Sequence, residues 1–439
     1  MKIAIVGFDT EGRASYDYFS KQPNNTFTIC DQKIDIDIPD GAVSQLGENY
    51  LDNLDGFDLI IRTAGLHPQK ILDKNPGVKD KITTHVNEFL KVCPTKNTFG
   101  ITGTKGKGTT STLLTEMLKA DGKDAYLGGN IGLPPFKFID RLTAESCVVL
   151  ELSSFQLIDI QKSPHIATCL MVVPEHLDWH KDLDEYFSAK AQLFKVQNPE
   201  DLAIYYADND ISKQIACSGP AKKITYYQQP GAVIKNENIQ IGDQTICKTS
   251  EVKLLGEHNL QNVCAALTAF LQVSQNTDAA RKVITTFAGL PHRLEFVREL
   301  NGVKYYNDSF GTTPETAIAA IKSFEKPMIL IVGGSDKGVD YNDLVTNIFN
   351  ENIKHVICIG TTGNKIADIL ENRKNEKTVT YTVWQNATEI EMSQIVATAY
   401  ELAKPGEIVL LSTGSASFDM FKNYKDRGEQ FVKAVQELS

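Results

Sequence analysis

Residues 98–112 constrain the fold of this chain most tightly, because they combine an apolar strand, a glycine-rich turn and the start of a helix. We expect Gly103, Gly106 and Gly108 to adopt positive φ angles and to bring backbone N–H groups toward an anion. The dipole of the helix that begins near Lys107 favours negative charge at the same point. The stretch therefore predicts a phosphate-binding loop that follows a strand of an α/β domain.

The loop departs from the strict P-loop pattern at two positions. Ile101 stands where that pattern has its first glycine, and Gly108 stands where it has Ser or Thr directly after the lysine. Lys107 is the candidate to reach the outer phosphates of a nucleotide, and Thr109, one position late, is the candidate hydroxyl ligand of Mg²⁺. The competing interpretation is a glycine-rich turn with a surface lysine. The order of strand, turn and helix favours the phosphate site.

Length and composition exclude several classes of protein. A chain of 439 residues is too long for one hydrophobic core, so two to four domains are expected. It lacks an apolar run of about 18 residues and a signal-peptide pattern, which predicts a cytoplasmic enzyme without membrane insertion. The net charge of −10 argues against nucleic-acid binding. The eight cysteines are scattered without a Cys-x-x-Cys pair, and we expect buried thiols rather than disulfides or zinc ligands.

The first segment begins like a Rossmann fold, with strands predicted at residues 2–7 and 26–30. The second of these strands ends at Asp31, where such a fold holds a ribose or directs a loop residue to a base. Asp9 occupies the middle position of the dinucleotide fingerprint, so close backbone approach to a pyrophosphate is not expected there. The segment therefore favours nucleotide-substrate binding over an NAD-dependent dehydrogenase.

Polar residues end two strands predicted after the phosphate loop. Glu151 ends the strand at residues 147–151, and a carboxylate at such a place suits Mg²⁺ or its water shell. His176 follows the strand predicted at residues 166–173, as a second metal ligand or as a hydrogen-bonded loop histidine.

Two predicted helices carry further polar candidates. Lys190 lies in the middle of the amphipathic stretch 184–196, and the pattern alone favours a snorkelling surface lysine. Asn259 and Asn262 stand one turn apart at the start of the helix that opens in residues 256–262. They either cap this helix or bind a purine edge through paired amide hydrogen bonds.

The last segment again alternates strands, predicted at residues 303–306, 328–332, 355–359 and 407–411, with helices, the final one predicted from Ser417. The fold class is therefore α/β, with three consecutive α/β domains: a Rossmann-like N-terminal domain at residues 1–92, a central P-loop domain at 93–290 and a Rossmann-like C-terminal domain at 291–439.

Taken together, these motifs resemble the Mur ligases over the whole chain. The specific pieces are residues 103–109, 128–134, 150–157, 256–262, 290–293 and 417–428. The stretches 150–157 and 417–428 are most similar to the D-glutamate-adding members of the family.

The resemblance implies an ATP-dependent ligase that adds D-glutamate to UDP-N-acetylmuramoyl-L-alanine through an acyl phosphate, in cytoplasmic peptidoglycan precursor synthesis. The three domains then hold the UDP-sugar, ATP and the amino acid. ATP, two Mg²⁺ ions and a lysine carbamylated by CO₂ are the implied cofactors, and a monomer is expected. The alternatives are a ligase similar to folylpolyglutamate synthase and a nucleotide-dependent switch protein. A switch would need only the phosphate loop, so it would not explain the presence of Glu151, His176, Lys190 and Arg293.

The resemblance also implies roles for individual residues. Nucleotide contacts fall on Gly103, Thr104, Lys105, Gly106, Lys107, Gly108 and Thr109, with Asn259 and Asn262 at adenine, Arg293 at the γ-phosphate and Asp308 at the ribose. The metal ligands are Thr109, Glu151, His176 and carbamylated Lys190, and the catalytic set is Lys107, Glu151, His176, Lys190 and Arg293. The contacts with the UDP substrate fall on Thr10, Asp31, Asn130, Ser153 and Gln156, and the amino-acid pocket has Thr312, Lys337, Ser417 and Tyr424.

Phe310 and residues 413–414 depart from the family pattern. Phe310 stands where related enzymes commonly place a lysine, and Thr413 and Gly414 replace a proline-containing run. Lys337 and the helix start expected at Ser417 nevertheless offer two anion sites, which suits a dicarboxylic amino acid.

Overall fold

The computed structural model describes residues 1–177, 179–376, 379–384 and 391–439. It contains two compact units. The first comprises residues 1–253 and 257–287, and the second comprises residues 254–256 and 288–439. Within the described residues, no helix combines the length and apolarity needed to cross a membrane.

The first unit opens with a parallel sheet in the order β3-β2-β1-β4-β5. Its strands are β1 (Lys2–Val6), β2 (Thr26–Asp31), β3 (Val43–Leu46), β4 (Leu59–Arg62) and β5 (Ile82–Thr84), and its helices are α1 (Thr10–Phe19), α2 (Pro68–Lys74) and α3 (His85–Val92). After Lys2, every residue of β1 is buried, as expected for a parallel strand covered on both faces.

A second parallel sheet follows in the order β11-β10-β9-β6-β8-β7. Its strands are β6 (Thr98–Thr102), β7 (Ala125–Gly129), β8 (Cys147–Glu151), β9 (Ile166–Cys169), β10 (Leu202–Tyr206) and β11 (Lys222–Tyr226). The helices of this region are α4 (Lys107–Ala120), α5 (Ser154–Leu157), α6 (Leu183–Lys195), α7 (Asp210–Ala216), α8 (Glu257–Phe270) and α9 (Thr277–Thr286). Because β6 lies between β8 and β9, the ends of these strands meet at one edge of the sheet.

An apolar core joins the two sheets of the first unit. Phe136 stacks on Tyr18 with ring centroids 4.1 Å apart, and it contacts Phe19 and Phe89 edge-on. A small antiparallel sheet, β12 (Val233–Lys235), β13 (Asn238–Ile241) and β14 (Gln244–Lys248), was not predicted from the sequence. Its two tight connections, at residues 236–237 and 242–243, are the turn signals that would have indicated it.

The second unit has a mixed sheet in the order β15-β16-β20-β17-β18-β19, in which only β15 runs antiparallel to its neighbour among the described residues. Its strands are β15 (Glu295–Leu300), β16 (Val303–Asn307), β17 (Met328–Gly333), β18 (Ile353–Ile359), β19 (Thr380–Trp384) and β20 (Ile408–Leu411). Its helices are α10 (Pro314–Ile321), α11 (Asn342–Asn350), α12 (Gly360–Asn372), α13 (Met392–Leu402) and α14 (Tyr424–Glu437).

These sheets confirm the predicted α/β fold class. The predicted start of the final helix is wrong. Helix α14 begins at Tyr424, seven residues after Ser417, because the Asn423 side chain caps it by accepting from the N–H groups of Lys425 and Asp426. The thiols are free, and six are buried as predicted, but Cys217 is exposed and Cys93 is half-buried.

Candidate functional site

The turn between β6 and α4 has the backbone of a phosphate cradle. Gly103 and Gly106 have φ angles of 144° and 86°, which side chains rarely allow. A Cβ on Gly106 would lie 2.1 Å from Oδ1 of Asn262, so a glycine is needed for this close approach. The prediction for Gly108 is wrong: Gly108 lies in the first turn of α4 and is not among the residues with positive φ.

Two lysines meet at one carbonyl group of this turn. Nζ of Lys107 donates to the carbonyl oxygens of Gly103 and Thr104 over 3.1 and 2.9 Å. Nζ of Lys190, on α6, donates to the same Gly103 oxygen over 2.9 Å and lies 4.6 Å from the ring centroid of Tyr186. The two side-chain nitrogens therefore share one acceptor in the loop.

Lys190 is buried, with 1% of its surface exposed, so the interpretation as a snorkelling surface residue is wrong. The side chain points from the middle of α6 to the phosphate loop, which the helical pattern alone does not reveal. Burial lowers the pKa of Lys190 well below its usual value, and the nearby charge of Lys107 lowers it further. The unprotonated amine is therefore more favoured at Lys190 than in an exposed lysine.

Glu151 ends β8 next to β6, with Ile101 as its register partner, and is buried. Its Oε1 accepts a hydrogen bond from Nδ2 of Asn130 over 2.8 Å, while Oε2 is buried without a hydrogen-bond partner. A buried carboxylate oxygen normally has a partner, and an unsatisfied one indicates a missing ligand such as a cation. Asn130, predicted to contact the UDP substrate, is thus placed to orient Glu151.

His176 has a left-handed backbone, with φ 61°, in the loop after β9. Its Nε2 lies 3.5 Å from Oε2 of Glu175, and its ring meets that of Phe155 edge-on. Glu175 also forms an ion pair with Lys105, which lies in the phosphate loop. The His176 loop and the phosphate loop are therefore connected.

Two threonines of the phosphate loop are buried in different surroundings. The Thr104 hydroxyl accepts from the N–H of Val173 over 3.0 Å and lies 2.8 Å from the hydroxyl of Tyr186, so it anchors the loop to the segment after β9. Thr109 lies in the first turn of α4.

Among the described residues, no three His, Cys, Asp or Glu side chains form a metal-binding cluster. Of the four predicted metal ligands, only Glu151 and His176 are of these residue types.

Asn262 lies against the phosphate loop. Its Nδ2 donates to Oδ1 of Asn259 over 3.0 Å, and its Oδ1 accepts from the hydroxyl of Thr110 over 3.3 Å. With the close approach to Gly106, these contacts connect the first turns of α8 to the loop and to α4. The predicted contact of these amides with adenine stays a prediction.

Gln156 is buried, and its polar atoms are used within the protein. Its Oε1 accepts from the backbone N–H of Ser153 over 3.0 Å, in a capping box that starts α5. Its Nε2 donates to Oε1 of Glu11 over 2.9 Å, and burial raises the pKa of that glutamic acid. Glu11 was not identified from the sequence, because its partner lies 145 residues away.

The carboxyl edge of the first sheet has a cavity of about 330 Å³. Its lining residues are Gly7, Phe8, Asp9, Asp31, Gln32, Tyr50, Thr63, Gly65, Leu66 and Lys70. Asp31 is part of this lining, whereas Thr10 is exposed and is not part of it; the predicted substrate contacts of both residues stay predictions. The Asp31 carboxylate accepts from the N–H groups of Phe8 and Lys33 over 2.8 and 2.9 Å, so it also fixes the loop after β1.

Arg62, also missed from the sequence, ends β4 as a fully buried side chain. It forms a bidentate ion pair with Asp159 over 2.7 Å to each carboxylate oxygen, and donates to the carbonyl oxygen of Phe155 over 2.8 Å. It therefore attaches the first sheet to the segment that contains Ser153 and Gln156.

In the second unit, Arg293 and Asp308 lie in neighbouring loops. The guanidinium carbon of Arg293 lies 3.7 Å from the ring centroid of Phe310. Asp308 is buried and accepts from the Ser412 hydroxyl over 2.7 Å and from the N–H of Leu294 over 3.2 Å. Burial raises the pKa of Asp308 to about 7.

The loops with the predicted amino-acid residues lie side by side in the second unit. Ser335 and Ala416 form an antiparallel bridge, which places the loop of the exposed Lys337 next to that of the buried Ser417. Tyr424, at the start of α14, has its ring edge-on to Phe310. Because α14 does not begin at Ser417, the predicted anion site from a helix start at that residue is wrong.

Comparison with known proteins decides the family. The model of the Mur ligase middle domain matches residues 101–270, and that of the Mur ligase glutamate ligase domain matches residues 292–415. The chain belongs to the Mur ligase family.

Three relatives similar to this Mur ligase carry the name UDP-N-acetylmuramoylalanine–D-glutamate ligase. The enzyme of Clostridium novyi is 38% identical over 91% of this chain and 87% of its own length. The enzyme of Acetivibrio thermocellus is 40% identical over 90% of this chain and 85% of its own length. The enzyme of Clostridium botulinum strain Hall is 38% identical over 100% of this chain and 97% of its own length.

Solved Mur ligases share the fold at low sequence identity. UDP-N-acetylmuramate–alanine ligase MurC of Thermotoga maritima has a TM-score of 0.59 at 15% identity, covering 99% of both chains. MurF ligase of Thermotoga maritima, in complex with ADP, has a TM-score of 0.61 at 16% identity, covering 99% of this chain and 95% of the other.

Proposed function

We propose that this Mur ligase joins D-glutamate to UDP-N-acetylmuramoyl-L-alanine with conversion of ATP to ADP and phosphate, as a cytoplasmic step of peptidoglycan precursor synthesis. The names of relatives that are 38–40% identical over 90–100% of the chain support this choice of substrates. The positions of the residues around the phosphate loop support the phosphate-transfer step.

The observation that carries the proposal is the cluster of Lys107, Lys190 and Glu151 around the phosphate loop. The side-chain nitrogens of Lys107 and Lys190 share the Gly103 carbonyl, and the N–H groups at the start of α4 follow the loop. Such a site favours the charge that develops when a carboxylate attacks the γ-phosphate of ATP. A carboxylate does not react directly with an amine, because its oxygen is a poor leaving group. Phosphorylation turns that oxygen into a leaving group that the incoming amine can displace.

The residues near the loop fit Mg²⁺. The unpartnered buried Oε2 of Glu151 is a carboxylate oxygen of the kind that Mg²⁺ prefers, and the Thr109 hydroxyl and His176 are further candidate ligands. Bound Mg²⁺ would neutralise charge on the transferred phosphate. Glu151 then holds its metal-facing oxygen in place through the hydrogen bond from Asn130.

Lys190 fits conversion to a carbamate. A neutral amine is the form that reacts with CO₂, and the lowered pKa of the buried Lys190 favours that form. A carbamate there would supply an anionic metal ligand, which an ammonium group cannot. Tyr186 and the Gly103 carbonyl hold the side chain next to the loop.

We assign the remaining substrates to the three predicted domains, with boundaries at residues 92/93 and 290/291. The cavity beside Asp31 suits the UDP part of the acyl donor, since ligands of open α/β sheets bind at the carboxyl edge. Asn259, Asn262, Arg293 and Asp308 stay the proposed nucleotide contacts. The proposed amino-acid contacts stay Thr312, Lys337, Ser417 and Tyr424. Of these four, Lys337 supplies the positive charge expected to bind a carboxylate of the amino acid.

Phosphate release from ATP tests this proposal. The purified protein is incubated with ATP, Mg²⁺ and UDP-N-acetylmuramoyl-L-alanine, and D-glutamate, L-glutamate, D-aspartate and L-alanine are compared as acceptors. We expect release that requires the UDP substrate and is fastest with D-glutamate. A preference for L-alanine would contradict the amino-acid assignment, and a preference for L-glutamate would contradict only its stereochemistry.

A further inference from the structure

The ring of Phe310 contacts two residues of the proposed site at once. The Arg293 guanidinium lies over its face, 3.7 Å from the centroid, and the Tyr424 ring meets its edge, with centroids 5.1 Å apart and planes at 86°. A guanidinium over an aromatic face is attracted by the ring quadrupole, and edge-to-face rings are a preferred arrangement. We call Arg293, Phe310 and Tyr424 the arginine–aromatic stack.

The backbone on both sides of Arg293 is strained. His292 and Leu294 have φ angles of 64° and 44°, in the left-handed region that non-glycine residues seldom adopt. Such conformations persist only where the surroundings hold them, and they cluster at functional sites. The strain indicates that the surroundings hold the backbone on both sides of Arg293 in place.

Hydrogen bonds hold this strained loop against the turn that contains Phe310. The N–H of Phe310 donates to the carbonyl oxygen of His292 over 2.9 Å. The N–H of His292 donates to Oε2 of Glu295 over 2.8 Å, and that of Leu294 to Oδ1 of Asp308 over 3.2 Å. The two loops thus form one framework, and the Phe310 ring lies directly against the Arg293 side chain.

We infer that Phe310 is a positioning residue for the ligation reaction: it holds the Arg293 guanidinium in one orientation and fixes Tyr424 beside it. This inference rests on the proposed function, in which Arg293 contacts the γ-phosphate and Tyr424 the amino acid. The position requires an aromatic face, because a leucine offers no quadrupole and a lysine would repel Arg293.

A series of substitutions separates this role from simple packing. We expect Phe310→Leu to lower kcat/KM for ATP by about 3- to 30-fold, and Phe310→Tyr and Phe310→Trp to retain most of it, because both keep an aromatic face. Phe296→Leu is the matched control, since Phe296 is an exposed phenylalanine on β15 of the same unit. Equal activity of Phe310→Leu and the control would overturn the inference.

A second measurement does not depend on turnover. The Nε–Hε resonance of Arg293, assigned with Arg293→Lys, reports the ring current of Phe310 in the full-length protein. We expect this resonance to move in Phe310→Leu and to stay in place in Phe296→Leu. An unmoved resonance would show that the stack does not form, and a moved resonance with unchanged kcat/KM would show that it positions nothing that matters for ligation. Inactivity of the wild-type protein with all four amino acids would instead contradict the proposed function.

Discussion

Lys107 and Lys190 donate hydrogen bonds to one carbonyl oxygen, that of Gly103, over 3.1 and 2.9 Å. One residue comes from the helix that follows the phosphate loop and the other from α6, which begins 76 residues later along the chain. Like charges this close repel each other unless an anion or a loss of charge compensates them. The proposed function supplies both: phosphate next to Lys107 and a carbamate on Lys190.

We predict that Lys107→Ala loses at least about 10²-fold in kcat, because the lysine acts on charge that develops during phosphate transfer. Its stability should change little, since Lys107 is half-buried and donates to carbonyl groups of its own loop. Steady-state kinetics and thermal unfolding measure the two properties. Lys119→Ala, an exposed lysine on the same helix, is the control. Near-normal turnover of a folded Lys107→Ala protein would refute the phosphate-loop assignment.

We predict that Lys190→Ala is inactive and that short carboxylates partly restore its activity, because they replace the anionic group of a carbamate. The exposed Lys195, on the same helix, provides the control variant Lys195→Ala.

Carbon-13 NMR in labelled bicarbonate shows the modification directly. We expect a carbamate resonance in the wild type and in Lys195→Ala, and its loss in Lys190→Ala. A fully active wild-type protein without such a resonance would mean that Lys190 acts unmodified.

The sequence was sufficient where function depends on local order along the chain. A strand end predicts Glu151 at the sheet edge, and strand, turn and helix predict the loop around Gly103. It was insufficient where distant segments pack together. The burial of Lys190 depends on how α6 lies against the loop, and the contact of Asn262 with Gly106 joins residues far apart in the chain.

Two local predictions failed for local reasons. The glycine-rich pattern groups Gly108 with the loop glycines, although the helix has already begun at Lys107. The sequence around Ser417 predicts the start of the last helix there, although Asn423 supplies the actual cap. Asparagine, with Asp426 three residues later, is a helix-start signal that the sequence contained.

We predict that Arg427→Met lowers the free energy of unfolding by about 3 kcal/mol, because several buried acceptors lose their donor. Arg427 is fully buried and donates to the hydroxyl and carbonyl oxygens of Ser309 over 2.8 and 2.7 Å and to the carbonyl oxygen of Ser415 over 3.1 Å. Urea denaturation measures the loss. Lys433 is exposed on the same helix, and the free energy of unfolding of Lys433→Met should stay within about 0.5 kcal/mol of the wild-type value. Equal stability of the two variants would show that the Arg427 contacts are not needed.

The most direct test of the account follows one oxygen atom. UDP-N-acetylmuramoyl-L-alanine is labelled with oxygen-18 in both oxygens of its carboxylate and converted with ATP and D-glutamate, and the released phosphate is analysed by mass spectrometry. The attacking carboxylate oxygen forms a bond to the γ-phosphorus. It then leaves with phosphate when the amine displaces it, while the other oxygen stays in the new amide. The account predicts one labelled oxygen in each phosphate, and unlabelled phosphate released together with amide product would contradict it.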